Sequence, residues 1–390
     1  MDEVKQPKGI KARVIISIFA ISLVNGLQHV LSPVLSSVRD HYPDISVSMI
    51  QMLVTMPMLI AIVFALLTGW IALYISKKKI FLFAAAVSGI TGLMPLLSDS
   101  FGLLLAARAL YGIALGIVIS LVTALVADFF DGEERIQVMG IQGASVGAGL
   151  MLVTALAGFV GRSDFHYVFY ISILGFVAFA VMLFLLPDKP VHREQTGTKK
   201  KIRLNRKVWI LAAFLFAEGF FIIMFTTNVA MHLAGPLKGD TVAAGTITSV
   251  FSAAQIVMGL LLRRITAITK KFTLPVAMFF MAAGYLLMAA FPASFVLLLI
   301  SAVLCGYSQS VYCAGAMAEV TTLVEPESTP MAASVLTCAL CISQFVSPVV
   351  INTVCRMVFA ETSTTGVYLL GGIGIGLVAA IETIYRKKSK

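Results

Sequence analysis

The sequence predicts an all-α membrane protein of twelve transmembrane helices, arranged as two pseudo-symmetric six-helix bundles. Of its 390 residues, 59% are hydrophobic and 12% are charged, whereas soluble domains are about 45–50% apolar and about 25% charged. Apolar stretches of about 20 residues, long enough to cross a bilayer core of about 30 Å, recur along the whole chain. A long polar run, 188–207, separates two apolar parts of similar length. Together these observations argue against a soluble enzyme.

The apolar parts divide into twelve predicted spans at turn signals rich in Gly, Pro, Asp and Lys. Six spans fall in the N-terminal bundle, residues 1–187, and six in the C-terminal bundle, residues 208–390. The polar run 188–207 is expected to be a cytoplasmic linker, because its basic residues cannot enter hydrocarbon. The spans are 13–38, 47–75, 80–97, 102–127, 136–160, 166–187, 208–234, 242–264, 272–291, 294–323, 331–356 and 364–385.

Basic residues are concentrated in every second connection. If both termini are cytoplasmic, the cytoplasmic segments hold about 24 Lys and Arg and the outer loops hold about four. The positive-inside rule therefore predicts a multi-pass protein of a bacterial cytoplasmic membrane with both termini inside. The same pattern accounts for the net charge of +10, so no nucleic-acid partner is expected. The first apolar run is too long for a signal peptide and is expected to be retained.

Polar side chains on one face of span 1 are expected to line a cavity between the two bundles. Their spacings of three and four residues place them on one side of a helix, and hydrocarbon would leave their polar groups unsatisfied. His29 is a candidate proton carrier, because histidine titrates near neutral pH when unperturbed; a neutral packed histidine fits the pattern equally well. The stripe consists of Ser22, Asn25, Gln28, His29, Ser32 and Ser36.

Span 7 carries a second stripe at the same helical spacing. Glu218 lies about eleven residues into the span, near the predicted bilayer midplane, where an ionisable group is a functional candidate by default. A carboxyl group there could load and release a proton, and the alternative is a permanent ion-pair or hydrogen-bond partner on another helix. The stripe consists of Glu218, Phe221, Phe225, Asn228 and His232.

Arg108 places a full charge about six residues into span 4. An arginine at such a depth costs about 2.5–3.5 kcal/mol on insertion scales, so it is expected to face a cavity or a partner. It would then tune the neighbouring proton carriers. The alternative is that it reaches back to the outer interface or braces a helix–helix hydrogen bond.

Further polar and aromatic residues complete the predicted substrate site. Each polar one alone is more typical of hydrogen bonding between helices, whereas the aromatic ones would supply an adaptable apolar wall. The predicted proton-coupling residues are Glu218, His29 and Arg108. The predicted substrate-binding residues are Asn25, Gln28, His29, Gln51, Arg108, Tyr111, Gln142, Glu218, Phe221, Phe225, Asn228, Gln255, Tyr307, Tyr312 and Gln344.

Charged residues at the predicted cytoplasmic ends form a candidate gate. Acidic groups there are typical of helix capping or interfacial charge, but they could also pair with loop cations and hold the cytoplasmic side shut. Exposed pairs contribute only about 0–1 kcal/mol each, which suits a latch that must open. The predicted gate residues are Lys77, Lys78, Lys79, Asp128, Arg135, Arg263, Arg264 and Glu319.

Several motifs resemble those of the major facilitator superfamily. The segment R-A-L-Y-G-I-A-L-G, Arg108–Gly116, resembles the helix-4 motif R-x-x-x-G-x-x-x-G, and Phe165–Phe169 resembles the start of helix 6. Asp128, with the Glu-Glu-Arg that begins at Glu133, resembles the helix 4–5 loop. Gly69 and the lysines from Lys77 resemble the loop 2–3 signature in degenerate form.

Two of these motifs depart from the family pattern. Leu73 and Ser76 stand where the loop 2–3 signature has Asp and Gly. The antiporter signature of helix 5 keeps its glycines but lacks the proline expected near Val153. Glycines in spans 4 and 5 are also expected to mark close helix packing. They are Gly112, Gly116, Gly143, Gly147 and Gly149.

The resemblance implies a secondary transporter that works by alternating access, is proton-coupled, and is similar to the twelve-span drug and sugar efflux branch. The leading hypothesis is proton-coupled efflux of a small organic molecule, and the alternative is a proton symporter or facilitator that imports a small organic anion.

The sequence contains no G-x-x-x-x-G-K-[ST] loop of the kind that binds ATP. We expect no enzymatic activity, cofactor or metal site. The expected partners are substrate, protons and the lipid bilayer, and the expected functional unit is a monomer.

Overall fold

The computed structural model describes residues 8–130, 132–189, 205–234, 239–325, 328–359 and 363–388. All regular elements in these ranges are helical. Most of the predicted linker 188–207 falls outside the described residues. The part before it, 8–189, is called the N-terminal half below, and the part after it, 205–388, the C-terminal half.

The N-terminal half begins with a helical segment in which 3₁₀ turns interrupt the α-helix midway. Between α1 and α2 the chain makes two 3₁₀ turns, Leu27–His29 and Ser32–Val34. Pro33 lacks the backbone N–H that an α-helix needs at that position. A longer 3₁₀ segment, Phe165–Ser172, precedes the last helix of this half. The helices are α1 (Lys8–Gly26), α2 (Leu35–His41), α3 (Val47–Ile71), α4 (Lys77–Leu93), α5 (Phe101–Phe129), α6 (Gly132–Val160) and α7 (Ile173–Leu185).

The described residues of the C-terminal half form six long helices. Polar residues cap two of them: Asn205 accepts a hydrogen bond from the N–H of Lys207, and Asp240 accepts from those of Val242 and Ala243. The helices are α8 (Arg206–Leu233), α9 (Thr241–Thr269), α10 (Thr273–Ala290), α11 (Phe295–Leu323), α12 (Thr329–Phe359) and α13 (Thr364–Lys388).

Eleven continuous helical segments in the described ranges are long and apolar enough to cross a membrane. One of them, Thr241–Ala290, has 50 residues. At 1.5 Å per residue it would be about 75 Å long, far more than a single crossing needs. It contains both α9 and α10, which a short 3₁₀ turn, Lys270–Phe272, separates. The count of twelve spans depends on treating these two helices as separate crossings, and it stays a prediction.

Close helix contacts occur at most of the glycines selected from the sequence. A Cβ atom on Gly112 would lie 2.5 Å from the carbonyl oxygen of Pro57, and one on Gly116 would lie 2.5 Å from that of Ala61, so α5 packs tightly on α3. Gly149 of α6 approaches the backbone of α1, and Gly147 approaches a side chain of α9. The expectation is wrong for Gly143, because a Cβ there would meet nothing within 4 Å.

The helix ends define two faces of the molecule. The face we call the basic end carries Lys77–Lys79 at the start of α4 and Arg386–Lys388 at the end of α13. The face we call the opposite end carries acidic residues in the connections between helices, such as Asp44, Asp99 and Asp240. The functional candidates described next lie between these two faces.

Candidate functional site

A buried amide cluster joins the two halves near the opposite end. Gln51 of α3 is fully buried, donates from Nε2 to Oδ1 of Asn228 on α8 at 2.8 Å, and accepts at Oε1 from Nδ2 of Asn352 on α12 at 2.8 Å. Ser48, one turn earlier on α3, accepts a further hydrogen bond from Asn352 Nδ2 at 3.1 Å. The sequence predicted Gln51 and Asn228 as substrate contacts; in this conformation they hydrogen-bond to each other across the two halves.

A second contact between the halves is made of backbone and small side chains on α6 and α9. The hydroxyl of Thr241 donates to the carbonyl oxygen of Gly158 at 3.0 Å, and the hydroxyls of Thr154 and Ser249 lie 3.2 Å apart. A Cβ on Gly158 would lie 2.6 Å from the carbonyl oxygen of Thr241 and 2.7 Å from Cα of Gly245. The backbones of α6 and α9 are therefore in contact near the C-terminus of α6, at the opposite end of the molecule.

The contact between α6 and α9 loosens towards the basic end. At Gly147 a Cβ would meet only the side chain of Ile256 within 3.4 Å, and at Gly143, one turn further, it would meet nothing within 4 Å. Gly143 instead borders a cavity of about 310 Å³. Its polar lining includes Asn25 of α1 and Gln142 of α6, two residues predicted for the substrate site. The volume is at the lower end of the about 300–1,000 Å³ typical of small-molecule sites.

Arg108 lies inside the N-terminal half, where only 5% of its surface is exposed. Its Nη1 donates to the carbonyl oxygen of Leu27 at 3.3 Å, and its guanidinium carbon lies 5.6 Å from the ring centre of Tyr111. Its Nη2 has no hydrogen-bond partner among the described residues. The Tyr111 hydroxyl donates to the carbonyl oxygen of Val24. Arg108 and Tyr111 thus both donate hydrogen bonds to backbone carbonyls near the point where α1 ends and the first 3₁₀ turn begins.

The two other candidates at this turn differ in exposure. Gln28 is buried, and its Nε2 has no partner among the residues that the structure describes. His29 is half-buried and lies with Nδ1 3.4 Å from the hydroxyl of Ser32. Both residues lie in the 3₁₀ turn whose first residue, Leu27, accepts the hydrogen bond from Arg108.

Glu218 belongs to a separate group inside the C-terminal half. Glu218 is fully buried, and the hydrogen bond of its carboxyl in the described structure comes from the thiol of Cys313 on α11, with Sγ 4.0 Å from Oε2. Its Oε1 has no hydrogen-bond partner among the described residues. The neighbouring Gly219 faces Leu340 and Ser343 of α12. An ionised carboxylate with so few partners would be strongly destabilised there.

Three further residues of the α8 stripe, Phe221, Phe225 and His232, contact other helices of their own half. The ring of Phe225 stacks on that of Phe251, with centroids 4.7 Å apart. Phe221 packs against Gly374 of α13. His232 is hydrogen-bonded through Nδ1 to Thr364 and through Nε2 to the carbonyl oxygen of Met288. Helical spacing identified the polar face of α8 but not the elements opposite it.

The remaining predicted substrate residues lie on α9, α11 and α12. Tyr307 packs on the ring of Phe280 with centroids 4.5 Å apart. The backbone carbonyl of Gln255 accepts from Ser310 at 2.8 Å. Gln344 is buried, and its Oε1 has no partner within the described residues.

Tyr312 is hydrogen-bonded to a buried acidic residue that was not among the site residues predicted from the sequence. Its hydroxyl donates to Oε2 of Glu382 at 3.1 Å, and Glu382 is fully buried. Arg386 donates from Nε to Oε1 of Glu382 at 2.8 Å and lies with Nη2 3.0 Å from Oε2 of Glu319. The available signal was the spacing of four between Glu382 and Arg386, which places them on one face of the last helix.

Comparison with known proteins identifies the family. Residues 14–237, more than half of the chain, match the family model of the Major Facilitator Superfamily. The chain belongs to this superfamily. The resemblance stated from the motifs is thereby confirmed, and the family and fold are those of transporters.

Curated relatives in the superfamily include two resistance proteins. The chain is 26% identical over 153 residues to the quinolone resistance protein NorA of Staphylococcus aureus strain MRSA252, an alignment that covers 38% of this chain and 39% of that protein. It is 24% identical over 172 residues to the class B tetracycline resistance protein of Escherichia coli, covering 44% and 43%. The alignments thus span less than half the length of these relatives.

Solved structures of transporters share the fold over nearly the whole chain. The nucleoside transporter NupG, solved as a point mutant, gives a TM-score of 0.76 at 15% identity and covers 95% of this chain and 99% of that one. The human organic anion transporter MFSD10 gives 0.71 at 15% identity, with 97% and 100% covered. At these identities the likeness concerns the fold alone.

The degenerate superfamily signature between α3 and α4 makes an ion pair within the N-terminal half. Lys77 Nζ lies 2.7 Å from Oδ1 of Asp128, and Lys189 donates to the carbonyl oxygen of Asp128. Lys78 donates to the carbonyl oxygen of Leu183 at 2.9 Å. In this conformation Asp128 and Glu319 each pair within their own half, with Lys77 and Arg386. The other gate candidates, Lys79, Arg135, Arg263 and Arg264, are exposed.

Proposed function

We propose that this member of the superfamily is a secondary active transporter that exports a small organic molecule in exchange for protons, by alternating access. The observation that carries the proposal is the uneven contact between the halves. Near the opposite end they share a buried amide cluster and backbone contact, whereas a Cβ at Gly143 of α6 would meet nothing within 4 Å, and Gly143 borders a cavity lined by α1, α5 and α6. A rigid tilt about this contact zone would close the basic end and open the opposite end.

The proposed topology has twelve spans in two six-helix bundles, with the basic end in the cytoplasm. The charge bias of the connections supports this orientation, and the separation of α9 from α10 by the turn at Lys270 supports the count. The conformation described here would then be open to the cytoplasm. An exporter takes up its substrate in this conformation.

The cavity beside α6 is the proposed substrate site. Its wall combines amide groups of Asn25 and Gln142 with the hydroxyls of Ser22 and Thr123 and with apolar side chains such as Val118. A few polar groups in an apolar wall are typical of small-molecule sites. No charged side chain borders this cavity in the described structure, which favours a neutral or weakly polar substrate.

Glu218 is the proposed proton carrier. Because one carboxyl oxygen has no partner among the described residues and the side chain is fully buried, the neutral acid suits this conformation. Release of the proton would require water or a cation to reach the carboxyl when the helices rearrange. The other proposed proton-coupling residues, His29 of the first 3₁₀ turn and Arg108 of α5, lie in the other half and do not border the cavity beside α6.

Transport direction and coupling can be tested with purified protein in proteoliposomes. We expect a pH gradient of the orientation that favours export to accelerate flux of a drug-like substrate, as the two resistance proteins suggest. Dissipating the gradient with a protonophore should remove that acceleration. A rate of flux that is the same with and without the imposed pH gradient would contradict proton coupling.

The alternative, import of an organic anion, gives a different result in the same vesicles. It requires a charged anchor, and the candidate is Arg108, whose Nη2 has no hydrogen-bond partner among the described residues. Its burial away from the cavity lining counts against this role in the present conformation. Anion-restricted binding that is lost in Arg108→Ala would favour the alternative, and retained binding of neutral compounds would favour export.

Gln142→Ala should weaken substrate binding without disturbing the fold. Loss of one hydrogen bond of about 0.5–1.5 kcal/mol corresponds to about a 2- to 10-fold rise in the dissociation constant. The matched control is Gln137→Ala, an exposed glutamine on the same helix. Titration of both variants with the same substrate by tryptophan fluorescence or calorimetry is the measurement, and equal affinities would remove Gln142 from the site.

A further inference from the structure

Three side chains of types that can ligate a metal ion lie together at the opposite end. No metal site was predicted from the sequence. His41 ends α2, Asp99 lies in the connection before α5, and His166 is the second residue of the 3₁₀ segment before α7. Their ligand atoms all lie within 4.8 Å of one another. Sequence spacing could not reveal this group, because His41 and Asp99 are 58 residues apart.

The two imidazoles converge on one carboxylate. His41 Nε2 lies 2.8 Å from Oδ2 of Asp99, and His166 Nε2 lies 3.7 Å from its Oδ1. Two ligand atoms bound tetrahedrally at about 2.0–2.1 Å from one zinc ion would be about 3.3–3.4 Å apart. The two distances to Asp99 are within about half an ångström of that separation, and no two ligand atoms of the group are more than 4.8 Å apart, so shifts of up to about 1.5 Å would place one ion between the three side chains.

Neighbouring groups hold the three side chains in a binding orientation. Asp164 lies with Oδ1 2.7 Å from Nδ1 of His166, which directs Nε2 of that ring towards Asp99. The Tyr42 hydroxyl donates to Oδ1 of Asp99 at 2.6 Å. The ring of Phe165 packs against both histidines, with centroids 3.9 Å from His166 and 5.1 Å from His41. A carboxylate behind a ligating histidine is the usual second partner in zinc sites.

The group is open to solvent, since the side chains of His41 and Asp99 are 37% and 54% exposed, so an ion has a path to it.

We propose that His41, Asp99 and His166 form a binding site for a divalent transition-metal ion of the zinc type, with water as the fourth ligand. Two imidazoles and one carboxylate suit zinc rather than magnesium or calcium, which prefer oxygen ligands. The ion would tie the end of α2 to the connections that precede α5 and α7. The site thereby braces the segment that leads into α3, the helix of Ser48 and Gln51.

Zinc binding by the full-length protein in detergent tests the proposal. We expect one ion per chain by calorimetry, a rise in Tm with zinc concentration because only the folded state binds, and displacement of a tetrahedral Co²⁺ spectrum by Zn²⁺. Either His41→Ala or His166→Ala should lower zinc affinity by more than about 100-fold, beyond the effect of a supporting residue.

Two further variants test whether zinc affinity depends on this group of residues specifically. Asp164→Asn leaves all three ligands in place and should lower zinc affinity by about 10- to 100-fold, as loss of a supporting carboxylate does. Asp44→Asn removes an exposed carboxylate of the same face that lies outside the group, and it should leave zinc affinity unchanged. The proposal is overturned if zinc leaves the Tm unchanged, or if the histidine variants bind zinc as well as Asp44→Asn does.

Discussion

Glu218→Gln is expected to abolish proton-driven accumulation of substrate while preserving flux down the substrate's own gradient. The amide has the shape of the neutral acid but cannot release a proton, so the variant should be held in the proton-loaded form. The carboxyl is fully buried with one oxygen unpaired among the described residues, so the substitution breaks no ion pair there. The measurement compares flux with and without an imposed pH gradient in proteoliposomes.

Two control substitutions separate proton coupling from loss of charge or of fold. Glu325→Gln removes an exposed carboxylate from the same half and should leave the response to the pH gradient intact. Glu382→Gln alters a buried carboxylate that is paired with Arg386, and breaking such a pair costs about 3–5 kcal/mol of stability. If Glu218→Gln keeps full pH-driven accumulation, Glu218 is not the proton carrier.

Gly158→Leu is expected to prevent closure at the opposite end and to stop transport. A Cβ at this position would meet backbone atoms of α9 at 2.6 and 2.7 Å, and backbone cannot move aside as a flexible side chain can. Overpacking of about 1–3 kcal/mol would disfavour the closed contact by about 5- to 150-fold. A cysteine introduced at Ser249, which lies in this contact, should then react faster with a membrane-impermeant thiol reagent.

The matched control for this substitution is Gly140→Leu on the same helix. A Cβ at Gly140 meets nothing within 4 Å, so the larger side chain should leave both transport and the reaction of the cysteine at Ser249 unchanged. Equal reaction rates in Gly158→Leu and the parent would show that the contact between α6 and α9 does not hold the opposite end closed.

Helix positions could be predicted closely because they depend on local properties. Apolar length sets each span, and caps such as Asp240 set its start, so the predicted span 242–264 begins one residue from the observed start of α9. The predicted span 13–38 lies within one continuous helical segment, Gly9–His41, but the change in its winding was not predicted. Pro33 and the close approach of Gly26 to Gly149 accompany two 3₁₀ turns there.

The candidate site was less predictable, because its contacts join residues far apart in the chain. Helical spacing showed that Gln51 and Asn228 lie on polar faces, but not that they bond to each other across 177 residues. It also gave no sign that Asn352 completes the cluster. Periodicity identifies the polar side of a helix, whereas the partner of that side depends on how distant helices pack.

The distances between the two halves at both ends provide the most direct test of alternating access. Spin labels at Asp44 and Ala293 would report on the opposite end, and labels at Lys79 and Ile268 on the basic end, in a background without the native cysteines; all four sites are exposed. Across pH values and with substrate added, we expect the opposite-end distance to lengthen as the basic-end distance shortens. Distances that stay fixed, or that change together in the same direction, would contradict the account.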